Sequence, residues 1–291
     1  MNIIFQVTGG IGKCVIATAV CEAIKKQYPD SKLIVVSGYT DVFLNNPNVH
    51  RSYSFGNMSY FYEEFIEDKE FKVFSHDPYN QTEFLYQNEP IIKTWCEMYG
   101  IVYNGELPKL YLTEREKTFF SQKFHSDKPL FVIQTNGGAE QSLKYSWARD
   151  IPFTVGTEIV EEFKDIYNII HVKREDQLGL EYTIPITDSF RALAVLISMS
   201  RKRLFIDSFA QHTSAALGLE STVCWITNKP IVFGYEIHDN IISNAFTIKP
   251  ELRNAYLSKF DIGGNLIEFP YNNELEIFNV DDIIKSIKKQ K

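Results

Sequence analysis

Four short stretches of the 291-residue chain bring together residue types that do chemistry. Asp207-Ser208-Phe209-Ala210-Gln211-His212 follows the apolar run Leu204-Phe205-Ile206. It opens a helix-patterned segment with Ala210, Thr213, Ala216 and Leu217 on one face and Gly218 to end it. A strand handing directly to a helix leaves unpaired N–H groups and a positive dipole end at 208–211, which suits a phosphate. Asp207, Ser208 and His212 lie at that rim, and the competing reading is an Asp or Ser that only caps the helix. Gly9, Gly10, Ile11 and Gly12 form a turn whose glycines let backbone approach a ligand, with Lys13 adding charge; a plain strand-to-helix turn is the alternative. Gly137 and Gly138 are followed by Lys144, whose ammonium can neutralise a phosphate or simply be solvated, and by Trp147, read as packing. His76-Asp77 ends a strand-like run and is placed either for acid–base work or for ordinary loop capping.

Several chemistries are absent from the pattern. Val7 stands where a Walker A loop needs its first glycine and Cys14 where it needs Ser or Thr, and the turn does not match G-x-G-x-x-G. No D-x-D pair and no G-x-S-x-G elbow occurs. Asp68-Lys69-Glu70 reads as a solvated surface segment and Asp281-Asp282 as helix N-terminal charge. The 4 cysteines (Cys14, Cys21, Cys96, Cys224) lack metal-ligand spacing and read as reduced, buried thiols of a cytosolic protein, so zinc is not expected. With no carboxylate metal signature either, we expect no metal, and no cofactor is expected. A formal charge of −7 disfavours nucleic acid or an anionic membrane as a partner. No run approaches the ~18 apolar residues of a membrane span.

The elements that must position these residues alternate as strand and helix, the pattern of α/β layers with a parallel sheet. Asn2–Thr8, Lys32–Ser37, Phe71–Ser75 and Ser52–Phe55 read as strands, and 13–27 and 89–99 as helices. A charged helical stretch over 113–128 ends at Pro129, and the same grammar restarts with Leu130–Thr135. Helices follow at 154–163 and 188–200, strands at 169–172, 204–206 and 222–226, and a last helix at 280–289. We therefore expect an α/β protein of two doubly wound, Rossmann-like domains, 1–125 and 126–291, with the last helix packing back on the first. Facing each other, such domains bring both Gly-rich turns to a shared central cleft.

Taken in order, these segments resemble glycosyltransferase family 9, the ADP-heptose:lipopolysaccharide heptosyltransferases and their relatives, of GT-B fold. GGIGKCVIATAVCEAIKKQYPDSKLIVV matches the family's first turn, helix and second strand. NGGAEQSLKYSWA matches its glycine loop followed by K-x-W, with an extra residue between Lys144 and Trp147. Asp207 through Gly218 matches D-[ST]-G-x-x-H-x-A-x-A-L-G. The likeness runs through most of the chain and implies a metal-independent, inverting transferase that takes a nucleotide-diphosphate sugar donor. The implied acceptor is a saccharide or lipid-linked saccharide of the cell-surface or lipopolysaccharide type. The implied location is the cytoplasm or the inner membrane surface. Donor phosphates fall to Gly137, Gly138, Lys144, Asp207, Ser208, Phe209, Ala210, Gln211 and His212, and the acceptor to the cleft loop Gly9, Gly10, Ile11 and Gly12.

Two residues depart from the family. Lys13 stands where it has an Asp thought to be the base, and Phe209 replaces the glycine of the phosphate motif, filling space near the donor. Lysine is a poor base at neutral pH unless strongly desolvated. So the base is Lys13 itself in that state, or one of His76, Asp77 and Glu140; otherwise Lys13 binds an anion, or the protein binds nucleotide sugars without turnover. A transferase acting on modified viral DNA and a nucleotide-sugar epimerase are the other readings.

Overall fold

β1 (Asn2–Val7) is buried along nearly its whole length, as a strand covered on both faces in a parallel sheet must be. The computed structural model describes residues 1–137, 146–244 and 276–291. In it β1 lies between β2 (Lys32–Ser37) and β4 (Phe71–Phe74), with β3 (Arg51–Tyr53) outside β2, all parallel, in the order β3-β2-β1-β4. α1 (Ile11–Gln27) starts ahead of the expected Lys13, so Lys13 sits in its first turn. Its residues are buried without a gap from Lys13 to Cys21. A helix apolar on all sides is one with partners on all sides. Here the partners are the first sheet, α4 (Ile91–Met98) and, from the second half of the chain, α8 (Phe209–Ala216).

Two short helices, α2 (Phe61–Phe65) and α3 (Thr82–Tyr86), fill stretches with no marked periodicity. α5 (Glu114–Lys123) opens with a capping box: Thr113 Oγ1 accepts the Glu116 N–H while the Glu116 carboxylate accepts the Thr113 N–H.

The second sheet has six parallel strands: β5 (Leu130–Ile133), β6 (Asn168–Val172), β7 (Ile184–Ile186), β8 (Lys202–Ile206), β9 (Thr222–Trp225) and β10 (Asp239–Ile242). Their order is β10-β9-β8-β5-β6-β7. α6 (Phe153–Phe163), α7 (Phe190–Met199), α8, the single turn α9 (Pro230–Phe233) and α10 (Val280–Lys289) accompany it. The expected α/β class with two doubly wound sheets is what forms.

Two expectations about the domains meet a different packing. α5, ahead of the expected division at residue 125, lies on α7, and Phe120 and Phe124 join the core of the second sheet. α10 lies on α6 and the second sheet rather than on the first domain. Its buried Ile283 and Ile287 enter that sheet's core, and Ser286 meets Thr222 Oγ1 at 2.7 Å.

The halves share a core. One cluster joins Phe5, Val15, Phe84 and Trp95 of the first half with Val223, Trp225, Phe233 and Tyr235 of the second. A polar tie flanks it. Arg191 of α7 grips Glu116 with two hydrogen bonds, at 2.7 and 2.8 Å, and donates to the Tyr111 carbonyl at 2.8 Å. All 4 cysteines are unpaired and buried.

Candidate functional site

In a doubly wound sheet the crevice opens where strand order reverses, at the carboxyl ends of the two strands flanking the reversal. Those pairs are β1/β4 in the first sheet and β5/β8 in the second. The residues after them are Gly9–Lys13 and His76-Asp77, and then Gln134–Gly137 and Asp207-Ser208. Three of the four chemical stretches of the sequence, and Gly137 of the fourth, therefore fall at a switch point.

At the second switch point Ser208 does not act as a cap. It is the N-cap residue of α8, but its side chain makes no capping hydrogen bond, and no acidic residue occupies the first turn. The Ser208 hydroxyl instead accepts from Gln134 Nε2 at 3.2 Å, and the Asp207 carboxylate accepts from Asn228 Nδ2. Ser208 thus leaves the first N–H groups of α8 to another acceptor. Asp207, Ser208 and Phe209 are half-buried, but the side chains of Ala210, Gln211 and His212 are buried. His212 is thus not on the open rim. Its Nδ1 meets the Tyr235 hydroxyl at 2.8 Å, and burial, with His238 nearby, lowers its pKa to about 3. At neutral pH it carries no charge. Phe209 packs into the shared core and the core beneath α7, which is where the bulk replacing the motif's glycine goes.

Gly137 is buried, and a β-carbon built on it would lie 2.0 Å from Nη2 of Arg149. The guanidinium lies against this glycine at the end of β5. Asp150, itself buried, fixes the surroundings. Its carboxylate accepts the Gly137 N–H at 2.8 Å, the Ser146 N–H at 2.8 Å and Asn136 Nδ2 at 3.2 Å. Burial raises its pKa, against the pull of those donors. Arg149 stays 3.9 Å from Asp150, and its Nε has no hydrogen-bond partner among the described residues; nor has Gln134 Oε1. Unsatisfied buried polar atoms are uncommon, and these two flank one switch point.

Arg149 and Gln134 were not singled out by the sequence. The available signal was an arginine just ahead of the helix-opening Pro152. Gly138, Glu140 and Lys144, which were singled out, lie outside the described residues. Trp147 packs against the core of the second sheet, as read.

At the first switch point Gly9 has φ +100°, a conformation that favours glycine, and a β-carbon there would meet Lys13 Cδ at 3.1 Å. Gly10 is the uncapped N-cap of α1, and the space beside its α-carbon is open. Gly12 serves a close approach between helices: a β-carbon would lie 3.2 Å from His212 Cδ2 and 3.3 Å from Phe209 Cα. The α1 and α8 N-termini therefore meet, one from each sheet, beside the half-buried Ile11.

Lys13 is buried and bound. Its Nζ is 2.6 Å from Asp77 Oδ2, 4.4 Å from the centroid of the Tyr79 ring and 5.6 Å from that of Trp95. Burial lowers its pKa while Asp77 raises it. Asp77 Oδ1 accepts the Tyr79 N–H at 2.9 Å, so the carboxylate also caps the turn 78–80. His76 is exposed, and its carbonyl accepts from the Tyr99 hydroxyl at 2.8 Å. Among the described residues no three His, Cys, Asp or Glu side chains gather as a metal site requires. No helix among them is long and apolar enough to cross a membrane.

Solved structures share this architecture. A glycosyl transferase family 9 protein from Veillonella parvula is similar over 99% of this chain and 96% of its own, at 13% identity and a TM-score of 0.70. The E. coli ADP-heptose LPS heptosyltransferase II is similar over 89% and 98%, at 13% and 0.66. The E. coli heptosyltransferase WaaC, solved with ADP, is similar over 91% and 100%, at 10% and 0.57. No family model and no curated protein sequence matches. At these identities the likeness defines the fold, the two-domain GT-B architecture of those transferases, in line with the resemblance read from the motifs.

Proposed function

We propose that the protein is a glycosyltransferase that takes a nucleotide-diphosphate sugar, transfers the sugar with inversion and uses no metal. The donor lies in the C-terminal unit and the acceptor, a cell-surface glycan or lipopolysaccharide-type saccharide, approaches from the N-terminal one. The observation that carries this reading is the N-terminus of α8 that Ser208 leaves uncapped at the switch point, with the Arg149 guanidinium at the same end of the sheet. Together they offer oriented N–H donors and a cation to a departing diphosphate, the role otherwise filled by a divalent ion. The GT-B fold shared with transferases that act on or bind ADP-linked compounds makes ADP the first nucleotide to test. Cytoplasmic residence at the inner membrane surface would suit a lipid-linked acceptor.

Calorimetric titration with ADP, UDP and GDP tests the reading. One of them is expected to bind at micromolar to millimolar concentration, equally well in EDTA. Arg149→Ala is expected to weaken it about 10- to 100-fold, the worth of a charge-assisted pair. Absence of binding by all three at millimolar concentration would sink the proposal. A second reading, a binder without turnover, is favoured by Lys13 standing in place of an acid. It predicts the same binding with no nucleoside diphosphate released from any sugar donor.

A further inference from the structure

The acceptor hydroxyl must lose a proton, and of the candidate bases among the described residues the first switch point carries His76 and Asp77. His76 is exposed at the end of β4. Asp77 lies deeper, with its side chain 34% exposed and Lys13 beneath it at 6%. The neighbours of this pair reach the other sheet. Gly12, next to Lys13, abuts Phe209 and His212 at the start of α8. Tyr79, whose N–H caps Asp77, contacts the Phe233 ring at 5.8 Å between centroids. The pair thus lies beside the α1 turn and the Tyr79 ring, which both touch the second half of the chain.

We propose that Asp77 is the general base of the transfer and that Lys13 is its positioning residue. The proposal rests on the glycosyl-transfer reading above. Lys13 is walled in by the Tyr79 and Trp95 rings, an arrangement that holds a cation and leaves it no room for a ligand. It spends its charge on Asp77 Oδ2, while the Tyr79 N–H holds Oδ1, so the carboxylate is locked in one rotamer with a lone pair on each oxygen still available. The acceptor O–H proton passes to Asp77 as the acceptor oxygen bonds to the anomeric carbon. The bond from that carbon to the diphosphate oxygen breaks, and its electron pair departs with the nucleoside diphosphate. Lys13 keeps its protons throughout.

The test measures nucleoside diphosphate release from ADP-, UDP- and GDP-sugars, with water and a panel of saccharides as acceptors, beside calorimetric binding and a thermal melt of each variant. Asp77→Asn is expected to bind the nucleotide as the wild type does and to lose at least about 100-fold in kcat, the usual range for a general base. Lys13→Met keeps an apolar stem between the rings and is expected to lose about 10-fold in kcat at unchanged donor KM, with Lys13→Arg restoring most of it. Turnover by Asp77→Asn within threefold of wild type overturns the base. An unchanged kcat in Lys13→Met, or an effect on KM alone, overturns the positioning role and decides the matter should Asp77→Asn fail to fold. Wild-type protein that binds the nucleotide but releases none from any donor overturns the assignment as well. Absence of nucleotide binding is different, because it removes the transfer reading itself.

Discussion

At the scale of single residues the most informative position is Gly137, because its task is legible only in three dimensions. The sequence marks it as one of a glycine pair; the structure makes it the seat of a guanidinium. Its backbone lies outside the left-handed region, so alanine is allowed there, and what must move is the far end of a flexible side chain. Gly137→Ala should therefore change stability by less than about 1 kcal/mol, while weakening nucleotide binding as much as Arg149→Ala does. The double variant should be no worse than either single one, since both remove the same interaction. Additive losses would mean that Gly137 and Arg149 act separately. The same limit governs the rest of the site. The phosphate-motif segment 207–212 could be placed at a helix start from its strand-to-helix grammar. That Ser208 turns to Gln134, or that Lys13 finds Asp77, depends on contacts between distant segments that no local pattern records.

At the scale of elements, the continuous apolar runs, such as β1, α1, β5 and α7, lie close to where the sequence puts them. The elements that were missed are short and partly exposed: α2, α3, β7, α9 and β10 have too few residues to show a period. α5 was visible as a helix, but its partner was not. The reason is that its tie to α7 runs through polar groups, Glu116 and Arg191, with side chains 23% and 7% exposed. Removing one member of such a pair strands the other, which costs several kcal/mol when both are deeply buried and less here because Glu116 is partly solvated. Arg191→Met should cost about 2–3 kcal/mol in urea unfolding, and adding Glu116→Gln should recover part of that. A cost below about 0.5 kcal/mol would show that the tie does not hold α5 to α7.

At the scale of the whole molecule, acid should unfold the protein early. Burial keeps His171 and His238 neutral down to about 4 and His212 down to about 3, whereas all three titrate near 6.5 when unfolded. Below pH 6.5 the unfolded chain takes up protons that the folded one refuses, so stability is full above that pH and falls as pH drops toward 4. Three such groups give a slope of up to about 4 kcal/mol per pH unit near pH 5, enough to unfold a domain of ordinary stability. Glu116 adds to the loss below 4.5, because Arg191 holds its carboxyl at about 2 and that contribution disappears as pH falls through this value. Urea midpoints should be level from pH 7.5 to about 6.5 and fall steadily from there to 4.5, and His238→Asn should flatten the slope by about one proton. A midpoint constant from pH 7 to 5 would contradict this account.

The contact at Gly12 has a consequence for how such a chain can change over generations. Two doubly wound units are often treated as cassettes, one for each substrate, to be exchanged between proteins. Here a single helix belongs to both, and its narrowest point lies against the opening turn of α8. A new first half could be grafted on only if it brought a glycine to that crossing and an apolar back to the helix behind it. Divergence of the two halves is therefore tied at this seam, and variation in specificity has to be sought in the loops around it.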